Sequence, residues 1–235
     1  MPAPTQHELF RALASKAGLK QEVFHKTFEV FAEFKREAES MPLKFHSIRS
    51  KHKYPVLFEY RDRGEFEFEL KFGGDVLIFM MHTNVFEFSR DHEVMRTPYV
   101  KEDPRRSYCG MIQIFNFLND SFKYNRVNDL GYMIGRVFVN RELHYFIEGK
   151  REVGLLYNNF NTSRINKASV TGIIRSAMLY TVNFDLLTPD FNNVKEVTVA
   201  ELLDTIDRMK IRTGKRLGYR FQADRANGDT LWRST

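Results

Sequence analysis

The chain has 235 residues, 43% hydrophobic and 14% aromatic with 22 Phe and 10 Tyr, which supplies a large core and excludes a disordered polymer. Formal net charge is +6, and the single cysteine, Cys109, excludes an internal disulfide and a thiolate metal cluster. Met1 to His7 carries no basic-then-apolar leader and no apolar run reaches the ~18 residues of a bilayer span, so the expectation is a cytoplasmic protein with no membrane anchor.

In chain order, Thr5-Gln-His-Glu8 has capping-box spacing and starts a short helix whose apolar positions are Leu9, Phe10, Leu13, Ala14 and Ala17. Gly18 is read as its C-terminal residue, where positive φ is needed. A second helix is predicted over 20–40, with Val23, Phe24, Phe28, Val30, Phe31 and Phe34 on its apolar face and Pro42 as its stop. The basic stretch 43–53 reads as a loop into a sheet.

From Tyr54 the period becomes two. Val56 to Tyr60 forms a first strand and a tight turn follows at Arg61-Asp-Arg-Gly64. Phe66, Phe68, Leu70 and Phe72 then alternate with Glu65, Glu67, Glu69 and Lys71, placing the first set on a core and the second in water. Gly73-Gly74-Asp75 reverses the chain into an apolar strand over 75–88, buried on both faces. Ser89 to Ser107, charged and holding Pro98 and Pro104, reads as a long surface loop. Further strands are predicted over 108–118, 132–139, 143–148 and 152–157, with a turn at Asn140-Arg141. Helices follow over 163–180 and 199–209, the latter opened by Thr198-Val-Ala-Glu201.

The expected architecture is therefore α+β, a single domain over 1–235 built on an antiparallel sheet of about five to seven strands. Its parts are a helical N-terminal section (1–42), the sheet (54–157), C-terminal helices (162–209) and a basic tail (210–235). Three segments, Phe58 to Glu67, Met80 to Glu93 and Gly149 to Tyr157, resemble a protein family of Bacteroidetes. That family carries no established activity, so the resemblance implies no catalytic residues.

Neither a P-loop nor a dinucleotide fingerprint is present. Asp62 with Glu69-x-Lys71 matches the core of restriction-type, metal-dependent nucleases, where carboxylates hold Mg²⁺ and the lysine steadies the attacking water. Alternation of Phe with charged residues generates the same pattern without chemistry. His82, Glu87, Asp91 and His92, with His144 and Glu148, are of ligand type, but no spacing enforces their convergence and no metal or cofactor is assigned. Cys109 beside Gly110 reads as a small core residue before it reads as a nucleophile.

Charge is concentrated at the C-terminus, where residues 210–235 hold seven basic against two acidic side chains. Lys210, Arg212, Lys215, Arg216 and Arg220 surround Tyr219, and Phe221 follows. Cations that neutralise phosphates and rings that stack on bases suit single-stranded nucleic acid. The functional expectation is a non-catalytic cytoplasmic binding or regulatory protein, with RNA, a ribonucleoprotein or another polyanion as partner. The alternative is a nuclease using Asp62, Glu69 and Lys71.

Overall fold

A computed structural model describes residues 5–48, 54–125, 127, 129–149, 159–184, 190–200 and 202–203. The fold is α+β, a seven-stranded antiparallel sheet with a long N-terminal helix and a later helix. Two compact units make up the chain: Met1–Asn119 with Leu130–Asn183, and Asp120–Asp129 with Phe184–Thr235. No helix among the described residues is long and apolar enough to cross a membrane.

Helix α1 (Gln6–Ala12) opens on the expected capping box, with the Glu8 N–H donating to Thr5 Oγ1 and the Glu8 carboxylate accepting from the Thr5 N–H. Gly18 does not end it. Its φ of −58° is ordinary helix, and a π turn (Leu13–Ala17) carries the chain straight into α2 (Gly18–Ile48). Pro42 does not end α2 either. It removes one backbone donor, but Ala38 before it is buried and Phe45 after it packs edge-on against Phe58 at 5.6 Å. Packing on both sides thus outweighs the lost hydrogen bond.

Strands β1 (Phe58–Gly64) and β2 (Glu67–Phe72) form a hairpin that turns at Glu65-Phe66, later than the predicted turn at 61–64. Gly64 closes β1 at φ +130°, a backbone state that glycine adopts freely. A bulge between Asp62 and Gly64 shifts the register there. Gly73-Gly74 makes the expected two-residue turn into β3 (Asp75–Met81), where Val76, Leu77, Ile78 and Phe79 are buried in succession. Strand order is β1-β2-β3-β5-β6-β7, with β5 (Tyr108–Leu118), β6 (Tyr132–Asn140) and β7 (Tyr145–Gly149); the short β4 (Phe86–Glu87) pairs with the start of β5. A short helix α4 (Asn119–Lys123) follows β5. The strand predicted over 152–157 lies outside the described residues.

One sheet face carries Phe68, Leu70, Leu77, Phe79, Ile112, Ile114 and Ile147, covered by α2 and by α5 (Lys167–Val182), which starts four residues later than predicted because Asn166 caps it. Val23, Thr27, Val30, Phe31, Phe34 and Ala38 form the buried stripe of α2, at helical spacing. The other face, over β5 to β7, is covered by residues 86–107. These are not a bare surface loop: Thr97 caps α3 (Pro98–Glu102) and Asp103 caps a 3₁₀ turn (Pro104–Ser107), each proline sitting where a helix needs no N–H. Val94 and Val100 are buried there with Cys109, Met111, Phe138, Phe146 and Phe160.

Glu37 of α2 is a buried carboxylate between the helices, accepting from Lys167 Nζ and Thr171 Oγ1, both at 2.9 Å. The Lys167 hydrogen bond, then that of Thr171, holds its carboxyl below the ordinary value of 4.5. A depressed carboxyl adds stability that is present above the ordinary value and lost as pH falls through the folded one. Urea midpoints of the wild type are thus expected to fall between roughly pH 5 and 3 more steeply than those of Glu37→Gln. Parallel curves would show that Glu37 contributes nothing to acid sensitivity.

In the second unit, Ser121 Oγ donates to Asp129 at 2.6 Å and Asp190 caps α6 (Phe191–Val194). Val199, Ala200, Leu202 and Leu203 are helical, as predicted for that region, with the Leu202 N–H donating to the Thr198 carbonyl at 3.0 Å; the rest of the predicted 199–209 helix lies outside the described residues.

Candidate functional site

The nuclease-like residues sit on β1 and β2, and register decides their relation. Asp62 is level with Phe68 and Arg61 is level with Glu69. Successive side chains alternate between faces, so Asp62 shares the helix-covered face while Glu69 and Lys71 lie on the opposite one. The three do not converge. Asp62 accepts from Lys35 Nζ at 2.9 Å and from the Gly64 N–H, and these bonds, that of Lys35 first, lower its pKa. It ties the hairpin end to α2.

Glu69, expected in water, is only 3% exposed. Arg63 Nε donates to it at 2.6 Å and Arg61 stands 3.9 Å away, so two guanidinium groups compensate a carboxylate on a buried strand. Arg63, two residues beyond Arg61 on the same strand, shares the face of Glu69 by ordinary alternation. An open cleft near the hairpin turn is lined by Arg63, Phe66, Glu67, Met80, His82 and Thr83, and holds none of the nuclease-like trio.

Of the histidine and carboxylate candidates, the structure joins one pair. His92 Nδ1 accepts the Val94 N–H at 3.2 Å, leaving Nε2 to donate to Glu148 Oε1 at 3.0 Å, while Arg136 occupies Glu148 Oε2 at 2.6–2.8 Å. His82 Nδ1 accepts from the Asn84 N–H, and Glu87 accepts from the Tyr108 hydroxyl at 2.7 Å. Asp91, its pKa lowered mainly by the Ser89 hydroxyl, belongs to the same turn. Among the described residues no three His, Cys, Asp or Glu side chains are grouped to hold a metal ion. Cys109 is fully buried, which pushes its thiol far up and keeps it from acting as a thiolate.

The densest polar cluster was not visible in the sequence. Tyr99 of α3 stacks on His144 with centroids 4.2 Å apart and planes 11° apart, and the Arg106 guanidinium covers the ring at 4.4 Å. Tyr99 donates to Glu142 Oε2 and accepts from Asn140 Nδ2, both at 2.9 Å. Burial pushes the Tyr99 hydroxyl up to about 12, so it stays a donor. Burial works against the Glu142 carboxylate, but the Tyr99 and Arg106 hydrogen bonds outweigh it and lower its pKa. His144 Nδ1 donates to the Phe160 carbonyl at 2.9 Å. Arg141 pairs with Asp103 at 2.9 Å. Fully buried Asn140 uses its Oδ1 to accept the N–H groups of Glu142 and His144, which shapes the β6–β7 turn.

No family model, curated protein or solved structure matches this chain. Function therefore rests on these residues alone. The cluster at Tyr99 fastens residues 97–107 to the β6–β7 turn and presents no activated nucleophile. The predicted contact residues Lys210, Arg212, Lys215, Arg216, Tyr219 and Arg220 lie outside the described residues.

Proposed function

We propose that this chain is a binding protein whose partner is RNA, held through Lys210, Arg212, Lys215, Arg216, Tyr219 and Arg220. The observation that carries the reading is the placement of charge: seven of the 36 Lys and Arg fall in the last 26 residues, opposed there by two acids and interleaved with Tyr219 and Phe221. Earlier in the chain, Lys35 and Arg36 are paired with Asp62 and Glu33. Catalysis finds less support, since Asp62 stands on the face opposite Glu69 and Lys71, and Cys109 is buried.

If these cations meet phosphates, affinity for single-stranded RNA falls with salt at a slope of about −0.7 per contact. Lys215→Gln/Arg216→Gln/Arg220→Gln is expected to weaken binding and to flatten the slope by about 2, because glutamine keeps much of the side-chain stem without the charge. Tyr219→Ala is expected to lose about 1–3 kcal/mol with the slope nearly unchanged, since stacking releases no counterions. Fluorescence anisotropy at several salt concentrations separates the two effects. A triple variant that binds as the wild type does would remove the tail from the interface.

A further inference from the structure

Residues 6–17 form about three turns of exposed helix in which no side chain is buried. Leu9, Phe10 and Leu13 are nonetheless apolar and are 54%, 56% and 53% exposed. Helices this short take most of their stability from packing an apolar face, and an exposed contiguous apolar face on a soluble chain marks an interaction surface. The face is well defined. Leu9, Leu13 and Ala17 recur every four residues along one row, with Phe10 and Ala14 in the row beside it. Leu19, the first buried residue of the helix, turns the opposite way into the body of the first unit.

Charge says what covers this face. Glu8, Lys16 and Lys20 also recur at multiples of four and flank the leucine row on one side, acid at its N-terminal end and base at its C-terminal end. All three are exposed, although Lys16 also reaches the Tyr108 hydroxyl. In an antiparallel pair of identical helices centred on Leu13, like rows meet, and Glu8 of each copy falls level with residue 18 of the other, between Lys16 and Lys20. The acid of one copy then meets the bases of the other twice, and the two helix dipoles oppose. A two-fold contact is self-complementary in this way by construction.

We propose that the helical segment 6–20 is a self-association surface that pairs antiparallel with the same segment of a second copy, Leu13 against Leu13, with Glu8 of each facing Lys20 and Lys16 of the other. Two short helices bury well under about 1,000 Å², which places the contact in the weak class. Sedimentation velocity on the full chain is therefore expected to show monomer at about 1 µM and dimer at about 100 µM. Leu13→Asp, whose side chain is already in solvent in the monomer, is expected to raise the dissociation constant tenfold or more while far-UV circular dichroism stays unchanged. Lys20→Glu is expected to raise it several-fold and to remove most of its salt dependence. A wild type that stays monomeric at about 100 µM, or a Leu13→Asp variant that dimerises equally well, overturns the proposal. Unchanged dimerisation of Lys20→Glu overturns the antiparallel register.

Discussion

Replacing Gly110 with Ala is expected to destabilise the protein by about 3 kcal/mol, near the upper end for overpacking. Gly110 lies on β5 where α2 crosses the sheet, and a Cβ there falls 2.1 Å from Thr27 Oγ1 and 2.7 Å from Thr27 Cβ. Thr27 cannot turn away easily. It is fully buried and its hydroxyl donates to the Val23 carbonyl at 2.8 Å. Helix and strand must therefore separate, which loosens both the α2 stripe and the sheet beneath it. Pairing the change with Thr27→Gly is expected to recover part of the loss, less the ~1 kcal/mol that glycine costs inside a helix. Urea unfolding of the two variants beside wild type reads this directly, and a Gly110→Ala midpoint close to wild type would show that α2 does not sit against β5 at this position.

Phe68→Ala should cost about 3–5 kcal/mol. Phe68 is fully buried at the centre of β2, stacked on Phe79 at 4.6 Å and touching Phe31 and Tyr60 at 5.5 and 5.7 Å, so truncation opens a cavity among rings held by two strands and a helix. One residue away, Glu67→Ala should change stability by less than about 0.5 kcal/mol, because its ion pair with Arg63, at 3.6 Å, lies on a partly exposed surface. Glu69→Ala, also on that face, should cost about 1.5–3 kcal/mol, the worth of a buried hydrogen bond to a charged group. Equal losses at 67 and 69 in chemical denaturation would contradict the placement of Glu69.

Those three neighbours show what the sequence makes legible. Alternation in residues 65–72 correctly put Phe68, Leu70 and Phe72 on the core, since a side-chain period of two follows from strand geometry alone. It misplaced Glu69, whose burial beneath Arg61 and Arg63 depends on how those long side chains fold over the strand, which alternation alone does not announce. The same bulge-bearing hairpin decides the nuclease-like pattern: an Asp and an E-x-K can be read off the chain, but which faces they occupy depends on register. Turn and cap chemistry at Thr5, Gly73 and Asn140 was readable because it is local. Pro42 misled, since its propensity to stop a helix lost to the packing of Ala38 and Phe45 on either side, and Gly18 misled because it takes an ordinary helical φ of −58°. The Tyr99 cluster joins Tyr99 to Asn140 and Glu142, 41 and 43 positions away, and spacing carries no trace of it.

The most direct test of RNA binding without catalysis is a single incubation of the wild-type chain with end-labelled single-stranded RNA at low salt with Mg²⁺ or Mn²⁺, resolved on native and denaturing gels. The expected result is a shifted complex on the first gel and full-length RNA on the second. Cleaved RNA, or RNA that never shifts, would contradict it.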